Sequence, residues 1–168
     1  MQELAKSIPK KIRNSLWYIT CNTNTIFDPN NEASIQLFKK FEKTIDYMFS
    51  EEHLFDYIVF RDNSIDNLSL IKEVVIEKAF EVEGNQVGRN RLHAHILIGI
   101  RKHRTNMRLN FPKIREDIQI LTELPHKPYL NCQLIPRLQS FDELRTQIRI
   151  YGNKFNQLEN ISDDNIDQ

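Results

Sequence analysis

The apolar positions change period several times along the chain. From Leu16 to Asn22 the run Leu-Trp-Tyr-Ile-Thr-Cys-Asn is aromatic and β-branched, which predicts a strand. Asp28-Pro-Asn-Asn reads as a turn, after which Ile35, Leu37, Phe38, Phe41, Ile45, Met48 and Phe49 recur at helical spacing. That spacing predicts an amphipathic helix over Glu32 to Phe49. Phe55 to Phe60 reads as a short strand, and Glu73 to Glu83 and Arg91 to Ile100 as two longer ones. Gly84-Asn-Gln-Val-Gly88 between them reads as a hairpin turn. Pro112 to Leu124 is predicted as a second helix, Tyr129 to Ile135 as a strand and Phe141 to Leu158 as a last helix. The order βαβββαβα predicts an α+β fold, with a single central antiparallel sheet and flanking helices.

Composition narrows what such a domain can do. The 168 residues suffice for one compact domain, and 40% hydrophobic with 27% charged residues supports a folded core. No apolar run reaches the roughly 20 residues that span a bilayer, and the start Met-Gln-Glu-Leu-Ala-Lys lacks the order of a secretory signal. The expectation is a protein with no membrane partner. The two cysteines, Cys21 and Cys132, stand alone, which excludes a disulfide scaffold or zinc ribbon and fits a reducing compartment. None of the four glycines precedes Lys-Ser or Lys-Thr, so no phosphate-cradling nucleotide loop exists.

Net charge is zero, but its distribution is uneven. Arg89, Arg91, Arg101, Lys102, Arg104, Arg108, Lys113 and Arg115 fall between Gly84 and Arg115 with no acid until Glu116. Lys6, Lys10, Lys11 and Arg13 make the start basic, while Glu159, Asp163, Asp164 and Asp167 make the end acidic. A neutral average can hide a local field that guides a polyanion. Residues 159–168 read as an acidic, flexible tail.

The chemistry concentrates in Arg91-Leu-His-Ala-His-Ile-Leu-Ile-Gly-Ile100. On a strand, His93 and His95 share one face, with Leu92, Ala94, Ile96 and Ile98 on the other. Two imidazoles about 7 Å apart on one rigid strand are placed to hold one divalent ion. The preceding strand supplies Glu81 and Glu83 with matching parity. A hairpin centred on Gly88 would set Glu83 opposite His93 and Glu81 opposite His95. Such nitrogen and oxygen donors without thiolate suit Mg²⁺ or Mn²⁺, though Zn²⁺ would also bind. In Tyr151-Gly-Asn-Lys154, residues i and i+3 share a helix face, so the Lys154 ammonium can sit near the Tyr151 hydroxyl. A phenol of pKa ≈ 10 needs a neighbouring cation, metal or base to act as a nucleophile at neutral pH.

Three segments occur in one order: Trp17-Tyr-Ile-Thr-Cys-Asn-Thr-Asn24, Glu83-Gly-Asn-Gln-Val-Gly-Arg-Asn-Arg-Leu-His-Ala-His95 and Tyr151-Gly-Asn-Lys154. Together they resemble motifs I, II and III of the HUH endonuclease domains of rolling-circle replication initiators. The nearest likeness is to the Rep proteins of small circular single-stranded DNA viruses, over roughly residues 14 to 158. The resemblance implies an RRM-like or ferredoxin-like HUH domain over residues 1–158. It implies Glu83, His93 and His95 as ligands of Mg²⁺ or Mn²⁺, with Glu81 as an alternative to Glu83, Tyr151 as nucleophile and Lys154 as its assistant. The implied reaction nicks and rejoins single-stranded DNA at an origin hairpin through a 5′-phosphotyrosyl link. Trp17, Asn22, Arg89, Arg91, Arg101, Lys102 and Arg104 would meet the DNA, with Trp17 or Tyr18 as a stacking partner. The resemblance implies either an excised endonuclease domain or a protein that recruits a separate helicase or host replication proteins, acting where the DNA replicates, in a host nucleus or in the cytoplasm. This chain departs from many viral Reps in carrying His-x-His rather than His-x-Gln, and Thr20-Cys-Asn-Thr where an Asn pair is usual. A single-tyrosine HUH transposase, a non-catalytic nucleic-acid-binding module and a metal-dependent hydrolase using water are the alternatives.

Overall fold

A computed structural model describes residues 12–60, 70–83, 91–103, 107–138 and 146. Its elements are strand β1 (Ile12–Ile26), helix α1 (Glu32–Met48), a 3₁₀ turn (Leu54–Tyr57) and strands β2 (Ile58–Phe60), β3 (Ile71–Glu83), β4 (Arg91–His103) and β5 (Met107–Leu109). Helix α2 (Phe111–Thr122) and strand β6 (Tyr129–Leu138) follow. The central sheet has the order β3-β4-β1-β6, with every neighbouring pair antiparallel. The α+β class, with a central antiparallel sheet and flanking helices, is therefore the observed one. The predicted hairpin turn and the predicted last helix lie outside the described residues, apart from Thr146.

Local chemistry explains where the helices begin. Asn31 caps α1 by accepting from the Ala33 N–H at 2.8 Å and the Ser34 N–H at 3.4 Å, satisfying two donors that lack a helical partner. The turn before it closes through the Asn31 N–H donating to the Asp28 carbonyl at 3.1 Å. Asn110 caps α2 in the same way through the Lys113 N–H, with Pro112 in the first turn, where its missing donor costs nothing. The helix ends at Glu123, whose backbone is left-handed at φ 60°.

Alternation along the strands sends two sets of side chains to opposite faces. Trp17, Ile19 and Cys21 of β1 and Leu92, Ala94, Ile96, Ile98 and Ile100 of β4 form one buried cluster with Phe41, Ile45 and Met48 of α1 and Ile114 and Ile118 of α2. Both helices thus cover the same face of the sheet. Burial in this layer pushes the Cys21 thiol up to about 12, so it stays protonated and behaves as a small apolar side chain. On the opposite face Leu16 and Leu97 are buried together, with Tyr18 and Val75 packed against them.

Two details differ from the sequence expectation. The segment Phe55 to Phe60 is a 3₁₀ turn before it is a strand, because the His53 carbonyl accepts from the Asp56 N–H at 3.0 Å and the chain bends there. The three residues left as β2 pair with β5, which the pattern of apolar positions did not reveal, in a separate two-stranded ribbon. Three residues are too few to display alternation, and the pairing is visible only once the chain has folded back. Ile58 and Leu109 carry the ribbon into the main core.

Candidate metal centre and active site

The register between β3 and β4 decides which carboxylate meets which histidine. Glu81 is opposite His93, Ala79 is opposite His95, and Glu83 is opposite Arg91. The expected pairing of Glu83 with His93 and of Glu81 with His95 is therefore displaced by two residues. A two-residue slip keeps every side chain on its face, so the parity argument survives and the partner assignment does not. The side chains of Glu81 and Glu83 lie outside the described residues; only their backbone positions are used.

Across the whole sheet the pairings make rows. One row runs Glu81, His93, Asn22, Tyr129, and the next runs Ala79, His95, Thr20, Asn131. Both histidines thus lie on β4, one of the two central strands, where backbone pairing on each side holds the strand rigidly, on the face away from the helices. Their ring centroids are 5.0 Å apart in an edge-to-face arrangement. His93 is buried, at 4% exposure, and His95 is partly buried.

Each imidazole has a defined partner at Nδ1. The His93 Nδ1–H donates to the Arg91 carbonyl at 3.2 Å. A carbonyl only accepts, so the neutral ring carries its lone pair on Nε2. The Tyr18 hydroxyl lies 2.8 Å from His95 Nδ1, and Thr20 Oγ1 lies 3.5 Å away. The Tyr18 ring also stacks on His95 at 5.7 Å between centroids and 20° between planes. The donor set fits a divalent cation: two imidazoles adjacent in space, their Nδ1 atoms engaged by protein groups, and a carboxylate residue in register beside them. Among the described residues no group of three or more His, Cys, Asp or Glu side chains is placed to hold a metal ion.

The other candidate residues are dispersed. Asn22, in the His93 row, accepts from the Asn24 N–H at 2.8 Å through Oδ1, so its Nδ2 amide is what it offers a ligand. Asn24 has φ 57° and its Oδ1 accepts from the Arg91 guanidinium at 2.7 Å, tying the end of β1 to the start of β4. Arg91 and Arg101 are exposed but lie at opposite ends of β4, about 33 Å apart by strand rise. Trp17 and Lys102 are buried, at 5% and 8% exposure, so neither offers an open surface to DNA. Trp17 fills the helix-side core instead. Lys113 sits over the Tyr57 ring, 4.9 Å from its centroid, and Arg115 donates to the Pro128 carbonyl at 2.8 Å. The six of these cations that lie among the described residues are therefore spread over β4, β5 and α2 rather than gathered on one element. Arg89, Arg104, Tyr151 and Lys154 lie outside the described residues.

Two residues gain a role that the linear pattern did not give them. Tyr18 stands against His95 rather than against solvent, and Tyr129 is 69% exposed at the sheet edge in the His93 row. Parity alone places Tyr18 and Thr20 on the face opposite Ile19 and Cys21. The strand register is what sets them beside His95. No helix among the described residues is long and apolar enough to cross a membrane. No protein-family model matches the chain, and no curated protein matches it.

Proposed function

We propose that this protein is a HUH-type, metal-dependent enzyme that nicks and rejoins single-stranded DNA through a tyrosyl intermediate, as a replication initiator does. The observation that supports this reading is the adjacent pair His93 and His95 on a central strand, with Glu81 in register beside His93. The three sequence segments that bracket the chemistry supply the rest of the argument.

In this reading His93 and His95, with Glu81 or Glu83 of β3, hold Mg²⁺ or Mn²⁺. When bound, the ion acts as a Lewis acid at the scissile phosphate and offsets charge developing there. The Tyr151 oxygen attacks phosphorus, the bond to the 3′-oxygen breaks, and that oxygen leaves with a proton as a free 3′-hydroxyl. The phosphate ester is retained on Tyr151, so a later 3′-hydroxyl can attack it and rejoin the strand. Lys154, three residues on from Tyr151 in the sequence, would favour the tyrosinate by its positive charge. Asn22 offers an amide donor in the His93 row, and exposed Tyr129 offers a ring for stacking an unpaired base.

The test is a denaturing gel of labelled single-stranded hairpin DNA incubated with the protein, with and without Mn²⁺. A shifted protein–DNA band that requires the metal is the expected result. Cleavage without that band points to a water-using hydrolase instead, and tight binding without cleavage or metal uptake to a binding module.

Register makes a second prediction. Glu81→Gln is expected to weaken Mn²⁺ binding by more than the roughly 10–100-fold that outer-shell changes cost. Glu83→Gln should cost clearly less, because that position stands opposite Arg91. Calorimetric titration of the two variants with Mn²⁺ checks the order, and the reverse order would make Glu83 the ligand.

A further inference from the structure

The geometry points to Tyr18 as the positioning residue of His95: its hydroxyl oxygen accepts from His95 Nδ1–H, which holds the ring in the tautomer with its lone pair on Nε2. This role rests on the metal-centre reading above and adds a residue to it. Three observations converge. The Tyr18 oxygen is 2.8 Å from His95 Nδ1, a full hydrogen bond rather than a passing contact. The Tyr18 ring lies nearly parallel to the imidazole, so the plane of His95 is fixed as well as its hydrogen bond. Tyr18 is itself held, because it packs against the buried pair Leu16 and Leu97.

The two histidines are then treated alike by different means. A backbone carbonyl takes the His93 Nδ1–H, and a phenol takes the His95 Nδ1–H. Both rings present Nε2 as the lone-pair nitrogen. A carbonyl can only accept, whereas a hydroxyl can donate or accept, so the His95 tautomer is the one that needs support. Thr20 Oγ1, 3.5 Å from the same nitrogen, is a second hydroxyl on that side. Partners of this kind fix ring orientation and raise ligand basicity, and removing one costs about 10–100-fold in metal affinity.

Tyr18→Phe is the informative variant, since phenylalanine keeps the stack on His95 and the packing on Leu16 and Leu97 and removes only the oxygen. Long-range ¹H–¹⁵N spectra of the metal-free wild type should show His95 as one tautomer, with Nδ1 protonated and Nε2 not. In Tyr18→Phe both tautomers should appear, with thermal melting close to wild type and Mn²⁺ affinity lowered about 10–100-fold. A wild-type His95 protonated on Nε2 overturns the proposal without any variant being needed. So does Tyr18→Phe that binds Mn²⁺ like the wild type when His95→Ala does not. No Mn²⁺ uptake by the wild type is a different failure: it removes the metal centre itself, and this role with it.

Discussion

Tyr151→Phe is expected to abolish the covalent protein–DNA adduct completely while leaving Mn²⁺ binding in place. The effect is all-or-none because the proposed bond is made by the phenolic oxygen, which phenylalanine lacks. Phenylalanine keeps the ring, so a purely structural role would be spared. Two of the other tyrosines, Tyr57 and Tyr18, are poorly placed to substitute. The Tyr57 hydroxyl donates to Asp117 Oδ2 at 2.8 Å, and burial together with that carboxylate holds its pKa above the ordinary phenol range. The Tyr18 oxygen is engaged with His95 Nδ1. Gel analysis of the variant beside the wild type, with Mn²⁺ uptake measured on the same samples, separates the outcomes. An adduct that persists in Tyr151→Phe would move the nucleophile elsewhere, and Tyr129, exposed in the His93 row, would be the next residue to replace.

Phe41→Ala is expected to lower folding stability by about 3–5 kcal/mol. Phe41 has no exposed surface and sits between the helix layer and the sheet, with Phe80 of β3 meeting it edge-on at 6.0 Å. Truncation removes the transfer free energy of the ring and leaves a cavity that α1 and the sheet can close only partly. Against a total of roughly 5–15 kcal/mol for a domain, that loss is large enough to leave part of the population unfolded at ambient temperature. Ile120→Ala is the matched control: Ile120 lies on α2 at 63% exposure, and surface changes usually stay within about 0.5 kcal/mol. Urea titration of both variants gives the comparison. A loss below about 1 kcal/mol at Phe41 would mean that the helix–sheet layer is not the principal core.

The elements of the fold were largely legible in the sequence because each long segment repeats one period over many residues. Helix α1 follows the seven apolar positions from Ile35 to Phe49, and its start is written in Asp28-Pro-Asn-Asn, where Asn31 becomes the cap. The faces of β1 and β4 were legible for the same reason: Ile19 and Cys21 go to the core, and so do Ala94 and Ile96. Short elements were not legible. Strands β2 and β5 have three residues each and exist through their mutual pairing, which no local pattern encodes.

The sequence by itself determined the class of fold, the placing of His93 and His95 on one face of one strand, and the parity that sets Glu81 and Glu83 on that face. Tertiary structure alone decided the partners. Side chains on a strand repeat every two residues, so sliding β3 by two past β4 leaves the buried and exposed sets unchanged and the sequence is silent about the choice. The folded sheet selects Glu81 for His93. It brings Tyr18, 77 residues away in the chain, to within a hydrogen bond of His95. It also separates cations that the sequence had crowded together and buries Lys102 among them. Period fixes which way a residue faces; only the pairing of strands distant in sequence fixes what it meets there.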